Sequence, residues 1–164
     1  MKVLIILLLI LKNCSGENII IMDTDLTHDP KLISKLIKLI KEYDIVSCSR
    51  FCAGGLMENK MHYYLSFVFN LFIRIILRTQ IQDNLGGYFC IKKNVLDSLP
   101  YERIFYGYGE YFFRLLYFAQ KKKFSLIEIP AIYNLRHKGK SKSNFFLLLF
   151  KYFFAAIKLR FNVY

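Results

Sequence analysis

Asp23 and Asp25, separated by one residue, follow the apolar run from Ile19 to Met22. A short β-branched run that ends in acids is typical of a buried strand reaching the edge of a sheet. Alternation along the extended chain would place both carboxylates on the same side. Two like charges this close repel unless a cation lies between them, and hard divalent cations bind carboxylate oxygens. The spacing therefore predicts a divalent-metal site, and the alternative is that the acids only solvate a strand end or cap a helix.

The elements that must position these acids follow directly in the sequence. Asp29 and Pro30 have the residue types of an N-cap and a first-turn proline, and an amphipathic helix is predicted over 31–43. The segment "YDIVSCS" then reads as a strand that ends before Arg50. A β-α-β unit of this kind predicts a parallel sheet whose strand ends carry the site.

The rest of the chain continues the alternation of helices and strands. A long apolar helix is predicted over 61–78, and a double-glycine turn at 86–87 leads into another strand. A helix over 109–123 and a strand over 124–133 follow, and a basic loop precedes the terminal apolar block. With no internal repeat and no low-complexity linker, the sequence predicts one compact α/β unit.

Composition indicates an anionic partner and an apolar surface. The 24 basic residues against 12 acidic ones give a net charge of +12, which suits phosphorylated substrates or anionic lipid. Nucleic acid is disfavoured, because the sequence has no zinc-finger spacing and no RNA-binding aromatic motif. The hydrophobic content of 55% and the mean hydropathy of +0.30 suggest a membrane-facing surface. The four cysteines form no CxxC pair and are predicted to be reduced thiols.

Two apolar segments lie at the ends of the chain. Residues 1–16 hold nine consecutive apolar residues after Lys2, too few to span a bilayer, and a signal peptide is the alternative interpretation. In residues 144–164, the apolar stretch 145–157 suits a helix in the membrane interface, with a buried core helix as the alternative. We therefore expect a membrane-associated protein at the cytoplasmic face.

The segment "DTDLT" also fits the DxDx(T/V) motif of haloacid-dehalogenase-type phosphatases. In that interpretation Asp23 is the nucleophile and Asp25 the general acid. The later acids are isolated from one another, and the helix beginning at Asp29 and Pro30 leaves little room for the loop such enzymes need. The phosphatase interpretation of Asp23 and Asp25 is therefore weaker than the interpretation as a metal site.

Five segments in order resemble the family 2 glycosyltransferases of the polyprenyl-phosphate type, such as dolichol-phosphate mannose synthases. They are "IIIMDTDLTHDP", "DIVSCSRFCAGG", "QDNLGGYFCIKK", "YGYGEYFFRLLYFAQ" and "IPAIYNLRHKGKSKSN". The resemblance implies an α/β fold of the nucleotide-diphospho-sugar transferase type (GT-A-like, Rossmann-like) over residues 17–143, with a C-terminal apolar helix. It further implies inverting, metal-dependent sugar transfer from a nucleotide-diphospho-sugar to a polyprenyl phosphate or related lipid-linked acceptor.

The resemblance also implies roles for individual residues near the sheet. Asp23 and Asp25 would hold Mg²⁺ or Mn²⁺ on the donor diphosphate, with Asp25 also a catalytic residue. Arg50 would face the donor phosphates, a task that suits a guanidinium. Asp83, before "NLGGY", would be a catalytic base or an orienting group near the acceptor.

Further candidates lie later in the chain. Glu110, at a predicted helix start, would be a carboxylate near the substrate or metal, or only a helix-terminal acid. Arg136, Ser141 and Lys142 match the R-x-x-G-x-S-K loop of the family, a natural cradle for diphosphate or lipid phosphate.

One departure from the family is large. Relatives begin with a β-α-β half carrying a "P-x-Y-N-E"-like segment, and only about twenty residues precede Asp23 here. The sequence thus resembles the family from the middle of its domain onward. Either a second chain supplies that half, or the chain is a catalytically impaired remnant or membrane-bound partner subunit.

Overall fold

The computed structural model describes residues 2–23, 25, 27–107, 109–134 and 145–161. The helices are α1 (Lys2–Asn13), α2 (Ile33–Leu39), α3 (Lys60–Leu77), α4 (Lys93–Asp97), α5 (Tyr101–Ile104), α6 (Tyr111–Lys121) and α7 (Phe145–Phe161). The strands are β1 (Asn18–Ile21), β2 (Ile45–Ser49), β3 (Leu56–Met57), β4 (Phe89–Lys92), β5 (Leu126–Pro130) and β6 (Ile132–Tyr133). A 3-10 turn, Pro30–Leu32, leads into α2. Asp29 caps this turn, as predicted, because its carboxylate accepts a hydrogen bond from the Lys31 backbone N–H at 2.9 Å.

The main sheet has the strand order β1-β4-β2-β5. Strand β4 runs antiparallel to both of its neighbours, with Phe89 opposite both Ile21 and Ser47, whereas β2 and β5 are parallel. The prediction of a parallel sheet is therefore wrong: β1 and β2 do run in the same direction, but β4 is inserted between them. Strand direction depends on which distant segments pair, and the apolar pattern of "FCIK" is the same in either direction.

Strand β2 is the centre of the fold, and each of its five residues is buried. On one face of the sheet, Ile45, Phe89 and Ile91 join a core built with the helices α1, α3, α4, α5, α6 and α7. On the other face, Val46 and Cys90 pack under α2. The alternation along β2 and β4 therefore separates two apolar layers, as a sheet covered on both sides requires.

Helix α7 is partly core and partly exposed. Its Ala156 and Leu159 are buried, and Phe153 stacks on Phe72 of α3 at 4.9 Å between ring centroids. Phe150 and Phe154 on the same helix are 68% and 54% exposed. No helix in the described part of the chain is long and apolar enough to cross a membrane. The packing of α7 on α3 thus leaves one apolar face of this helix pair open.

Candidate functional site

One edge of the main sheet gathers three of the polar residues that the sequence singled out: Asp23, Arg50 and Asp83. Strands β1, β2 and β5 end at this edge, and β4, being antiparallel, begins there. The loop before β4, which carries Asp83, is thereby brought beside Arg50, the residue that follows β2. Asp23 follows β1 at the same edge, which we call the site edge.

Arg50 and Asp83 form a buried, bidentate ion pair at the site edge. The Arg50 Nε donates to Oδ2 of Asp83 at 2.7 Å, and Nη2 donates to Oδ1 at 2.7 Å. The side chains of Arg50 and Asp83 are only 7% and 0% exposed. Burial alone would lower the pKa of Arg50, but the Asp83 carboxylate raises it well above its ordinary value. Two parallel hydrogen bonds fix the plane of the guanidinium as well as its charge.

The Asp83 carboxylate is saturated with further donors. Its Oδ2 also accepts the Arg50 backbone N–H at 3.0 Å, and its Oδ1 accepts the N–H of Leu85 at 3.3 Å. Glu128 on β5 holds the same loop, because its two oxygens accept the backbone N–H groups of Gln82 and Asp83 at 2.7 and 2.9 Å. This geometry favours an orienting role for Asp83 over that of a proton acceptor.

The double glycine after Asp83 is required by close approach and by backbone conformation. A Cβ added to Gly86 would lie 3.0 Å from the hydroxyl of Tyr133 and 3.2 Å from the backbone oxygen of Cys48. Gly87 has a φ of +73°, in the left-handed region that side chains disfavour. The loop can therefore pack tightly against the end of β2, and this packing places Asp83 in contact with Arg50.

The two acids of the DxD motif differ in environment. Asp23 is exposed, and its backbone N–H donates to Nδ1 of the buried His28 at 2.9 Å. Asp25 is half-buried, and its Oδ1 accepts hydrogen bonds from the hydroxyl and the backbone N–H of Thr27 at 2.6 and 3.2 Å. Local hydrogen bonds thus join the backbone of Asp23 to His28 and the carboxylate of Asp25 to Thr27.

Titratable groups around the motif respond to its charge. Burial lowers the pKa of His28, against the opposing pull of the carboxylates of Asp23 and Asp25. Burial raises the pKa of Tyr111 and of Tyr133, and the charge of Asp23 adds to the rise at both hydroxyls. The charge of the motif therefore acts on the neighbouring rings of His28, Tyr111 and Tyr133.

The donor set is compatible with a hard divalent cation. Asp23 and Asp25 offer carboxylate oxygens, and Mg²⁺ is commonly held by one or two carboxylates with water and substrate phosphates filling its other positions. Within the described ranges, no group of three or more His, Cys, Asp and Glu side chains could hold a metal. The residues present thus fit an ion completed by substrate, and do not form an all-protein cage.

The remaining predicted residues are placed less directly. Glu110 is buried at the N-terminus of α6, where its carboxylate packs against Gly107. The pKa of the next residue, Tyr111, is raised by burial and by the charge of Asp23. Arg136, Ser141 and Lys142 lie outside the described residues.

Sequence reasoning missed Glu128, His28 and Tyr133. Glu128 carried a usable signal, because an acid inside the apolar run "LIEIP" must find donors when it is folded into a sheet. Tyr133 forms a wall of the site, with its ring 5.0 Å from the Arg50 guanidinium, but a lone tyrosine in a strand gives no such indication.

The fold is a mixed β-sheet covered by helices, with a DxD motif after one strand and a buried Arg–Asp ion pair at the same edge of the sheet. These features fit a GT-A-like glycosyltransferase fold. A family model described as "Glycosyl transferase family 2" matches residues 7–99. The chain belongs to glycosyltransferase family 2.

Three curated relatives carry related names. A dolichol-phosphate mannosyltransferase of Pyrococcus furiosus is 33% identical over 137 residues, which are 80% of this chain and 37% of that protein. An undecaprenyl-phosphate mannosyltransferase of Micrococcus luteus is 28% identical over 127 residues (74% of this chain, 51% of that protein). A polyprenol monophosphomannose synthase of Mycolicibacterium smegmatis is 29% identical over 126 residues (74% and 47%). This chain thus resembles polyprenyl-phosphate mannosyltransferases and spans from about two fifths to one half of their length.

Proposed function

We propose that this chain takes part in transferring a sugar from a nucleotide-diphospho-sugar to a polyprenyl phosphate, with inversion at the anomeric carbon. The observation that carries the proposal is the convergence at the site edge of the DxD acids with the Arg50–Asp83 pair. Membership of glycosyltransferase family 2 and the names of the three relatives support it.

Asp23 and Asp25 would hold Mg²⁺ or Mn²⁺ against the donor diphosphate. Such an ion supplies positive charge that stabilises the departing nucleotide diphosphate. The protein's own task is to present both carboxylates toward the donor, and the local hydrogen bonds within residues 23–28 support that geometry.

Arg50 would bind a phosphate group with the part of its guanidinium that Asp83 does not occupy. Arg50 lines a cavity of about 140 Å³ whose other walls include Phe69 of α3 and Leu148 and Tyr152 of α7. Asp83 would keep the guanidinium in one plane, so we assign it the orienting role. The apolar walls would suit the hydrocarbon chain of a lipid acceptor, so the phosphate of that acceptor fits this position as well as a donor phosphate does.

The open apolar face of α3 and α7 would rest on the cytoplasmic surface of a membrane. Its exposed apolar residues include Tyr64, Val68, Phe150 and Phe154. Lys158 and Arg160 close the last turn of α7, and basic residues beside an apolar face favour anionic lipid. The loop with Arg136, Ser141 and Lys142 would add cations for a phosphate. A second chain could supply the nucleotide-binding half.

The test is transfer of radiolabelled sugar to lipid by the purified full chain. The donors are guanosine, uridine and cytidine diphosphate-mannose, and the acceptors are dolichyl and undecaprenyl phosphate in phosphatidylglycerol-containing vesicles with Mn²⁺. We expect labelled lipid from the wild type and at least a hundredfold less from Asp23→Asn and Asp25→Asn. The control, Glu102→Gln, alters an exposed acid on α5 and should match the wild type.

Other outcomes identify the competing hypotheses. A folded chain that binds neither Mn²⁺ nor any nucleotide sugar would indicate the impaired remnant or partner subunit. Hydrolysis of p-nitrophenyl phosphate with phosphate trapped on Asp23 would indicate the phosphatase. Equal transfer by wild type and Asp23→Asn would refute the metal role.

A further inference from the structure

His28 is a buried histidine for which the proposed chemistry gives no role. It is only 2% exposed and lies on the turn between β1 and the start of the next helical segment. Its Nδ1 accepts the backbone N–H of Asp23 at 2.9 Å, so its ring proton must lie on Nε2. The imidazole is therefore a hydrogen-bond acceptor for the first acid of the DxD motif.

Two tyrosines fix the His28 ring. The ring stacks on Tyr88, with 4.9 Å between centroids and 13° between planes, and meets the edge of Tyr133 at 4.6 Å. Tyr88 in turn donates its hydroxyl to the backbone oxygen of Asp29 at 3.1 Å, and Tyr133 donates to that of Gly86 at 3.2 Å. A ring anchored on two sides holds its Nδ1 at a defined position, as an orienting partner of a metal ligand must.

We propose that His28 is a positioning residue for the metal-binding motif, holding the Asp23 backbone so that its carboxylate faces outward beside that of Asp25. Thr27 provides the corresponding restraint on Asp25 through Oδ1. Without such restraints, two carboxylates this close would turn away from each other, and an arriving cation would have to draw them together again. His28 removes that cost in advance. This inference rests on the proposed metal role of Asp23 and Asp25.

Two substitutions separate the hydrogen bond from the packing. His28→Phe keeps a ring between the tyrosines but lacks the acceptor. His28→Asn loses the ring, but its Oδ1 stands as far along the side chain as Nδ1 and can accept the Asp23 N–H. If only packing mattered, His28→Phe would bind Mn²⁺ more tightly than His28→Asn. If the hydrogen bond matters, His28→Asn will bind Mn²⁺ more tightly.

The measurement is Mn²⁺ binding to the full chain, followed by electron paramagnetic resonance of free Mn²⁺. We expect His28→Phe to weaken binding by about tenfold, the lower end of the range for lost partners of metal ligands, and His28→Asn to stay within about threefold of the wild type. In the transfer assay, His28→Phe should need more Mn²⁺ for half-maximal rate and regain the wild-type rate at saturation. Faster exchange of the Asp23 amide hydrogen in His28→Phe alone would support the same contact.

Each remaining outcome is decisive. Wild-type affinity in His28→Phe, or an equal loss in both variants, would overturn the positioning role while leaving the proposed function intact. A wild type that binds no Mn²⁺ would refute the metal role in the proposed function, and this inference with it. Should His28→Phe not fold, His28→Ala against His28→Asn supplies the same comparison, since both lack the ring and only asparagine keeps an acceptor.

Discussion

Replacing Asp83 by asparagine tests whether the ion pair with Arg50 holds the site edge together. The substitution keeps the size of the side chain and an acceptor oxygen, but it removes the charge that faces the guanidinium of Arg50, a residue only 6% exposed. In the wild type, both carboxylate oxygens accept hydrogen bonds from N–H groups of Arg50. In the variant, an NH₂ group replaces one of these oxygens and faces the same N–H donors. Breaking a buried ion pair by removing one partner costs about 3–5 kcal/mol. We expect the free energy of unfolding to fall by that amount.

The assay is urea denaturation of the full chain at pH 7, followed by far-ultraviolet circular dichroism. Arg50→Met should cost a similar amount, since it leaves the carboxylate buried alone. The double variant should cost less than the two single costs added together, by at least about 2 kcal/mol, because neither charge is then left without its partner. Glu102→Gln, which breaks an exposed pair with Lys12, is the matched control and should cost less than about 0.5 kcal/mol.

Two results would refute this reasoning. One is a loss below about 1 kcal/mol for Asp83→Asn, which would mean that water reaches the guanidinium freely. The other is simple additivity in the double variant, which would mean that Arg50 and Asp83 contribute independently. Either result would remove the basis for treating Asp83 as the residue that orients Arg50.

Three further predictions concern residues on or beside the strands of the main sheet. Glu128→Gln should lower the free energy of unfolding by about 1–3 kcal/mol in the same denaturation assay, because one of two backbone N–H groups loses its acceptor. Burial raises the pKa of Cys48 to about 12 and that of Cys90 to about 11. Both thiols should therefore resist alkylation by iodoacetamide at pH 8 in the folded chain and react after denaturation, which site-resolved mass spectrometry will measure. Partial burial opposes ionisation of Asp44, but hydrogen bonds from Ser125 and Lys92 lower its pKa below 3.8. The stability that this carboxylate adds is therefore fully present above 3.8, and the difference in free energy of unfolding between wild type and Asp44→Asn should shrink as pH falls from 3.8 through the lowered pKa.

Local patterns were sufficient to predict several of the longer elements, but not how they pair. The apolar run before Asp23, the Asp29–Pro30 helix start and the strand ending at Ser49 are each encoded within a few residues, and all three are found. The direction of β4 is not, because it depends on Phe89 meeting Ile21 and Ser47 from distant parts of the chain.

The candidate site divides in the same way. The DxD acids were recognisable from spacing, whereas the contact of Arg50 with Asp83 joins residues 33 positions apart and follows only from the antiparallel insertion of β4. The same holds for Glu128, whose partners lie 45 and 46 positions earlier in the chain.

The charge balance of the site edge leads to one further consequence. The chain carries a net charge of +12, yet the Arg50 charge is matched by Asp83, and Asp23, Asp25 and Glu128 add negative charge near it. A diphosphate would therefore meet repulsion from these side chains at short range, where Coulomb energies are large and poorly screened. If the chain binds a nucleotide sugar, most of the attracting charge must come from a cation on the two acids or from the basic segment with Arg136 and Lys142, because Asp83 already balances the charge of Arg50. Asp23 and Asp25 would then serve to recruit positive charge, which would reconcile carboxylates at the proposed donor site with an anionic substrate.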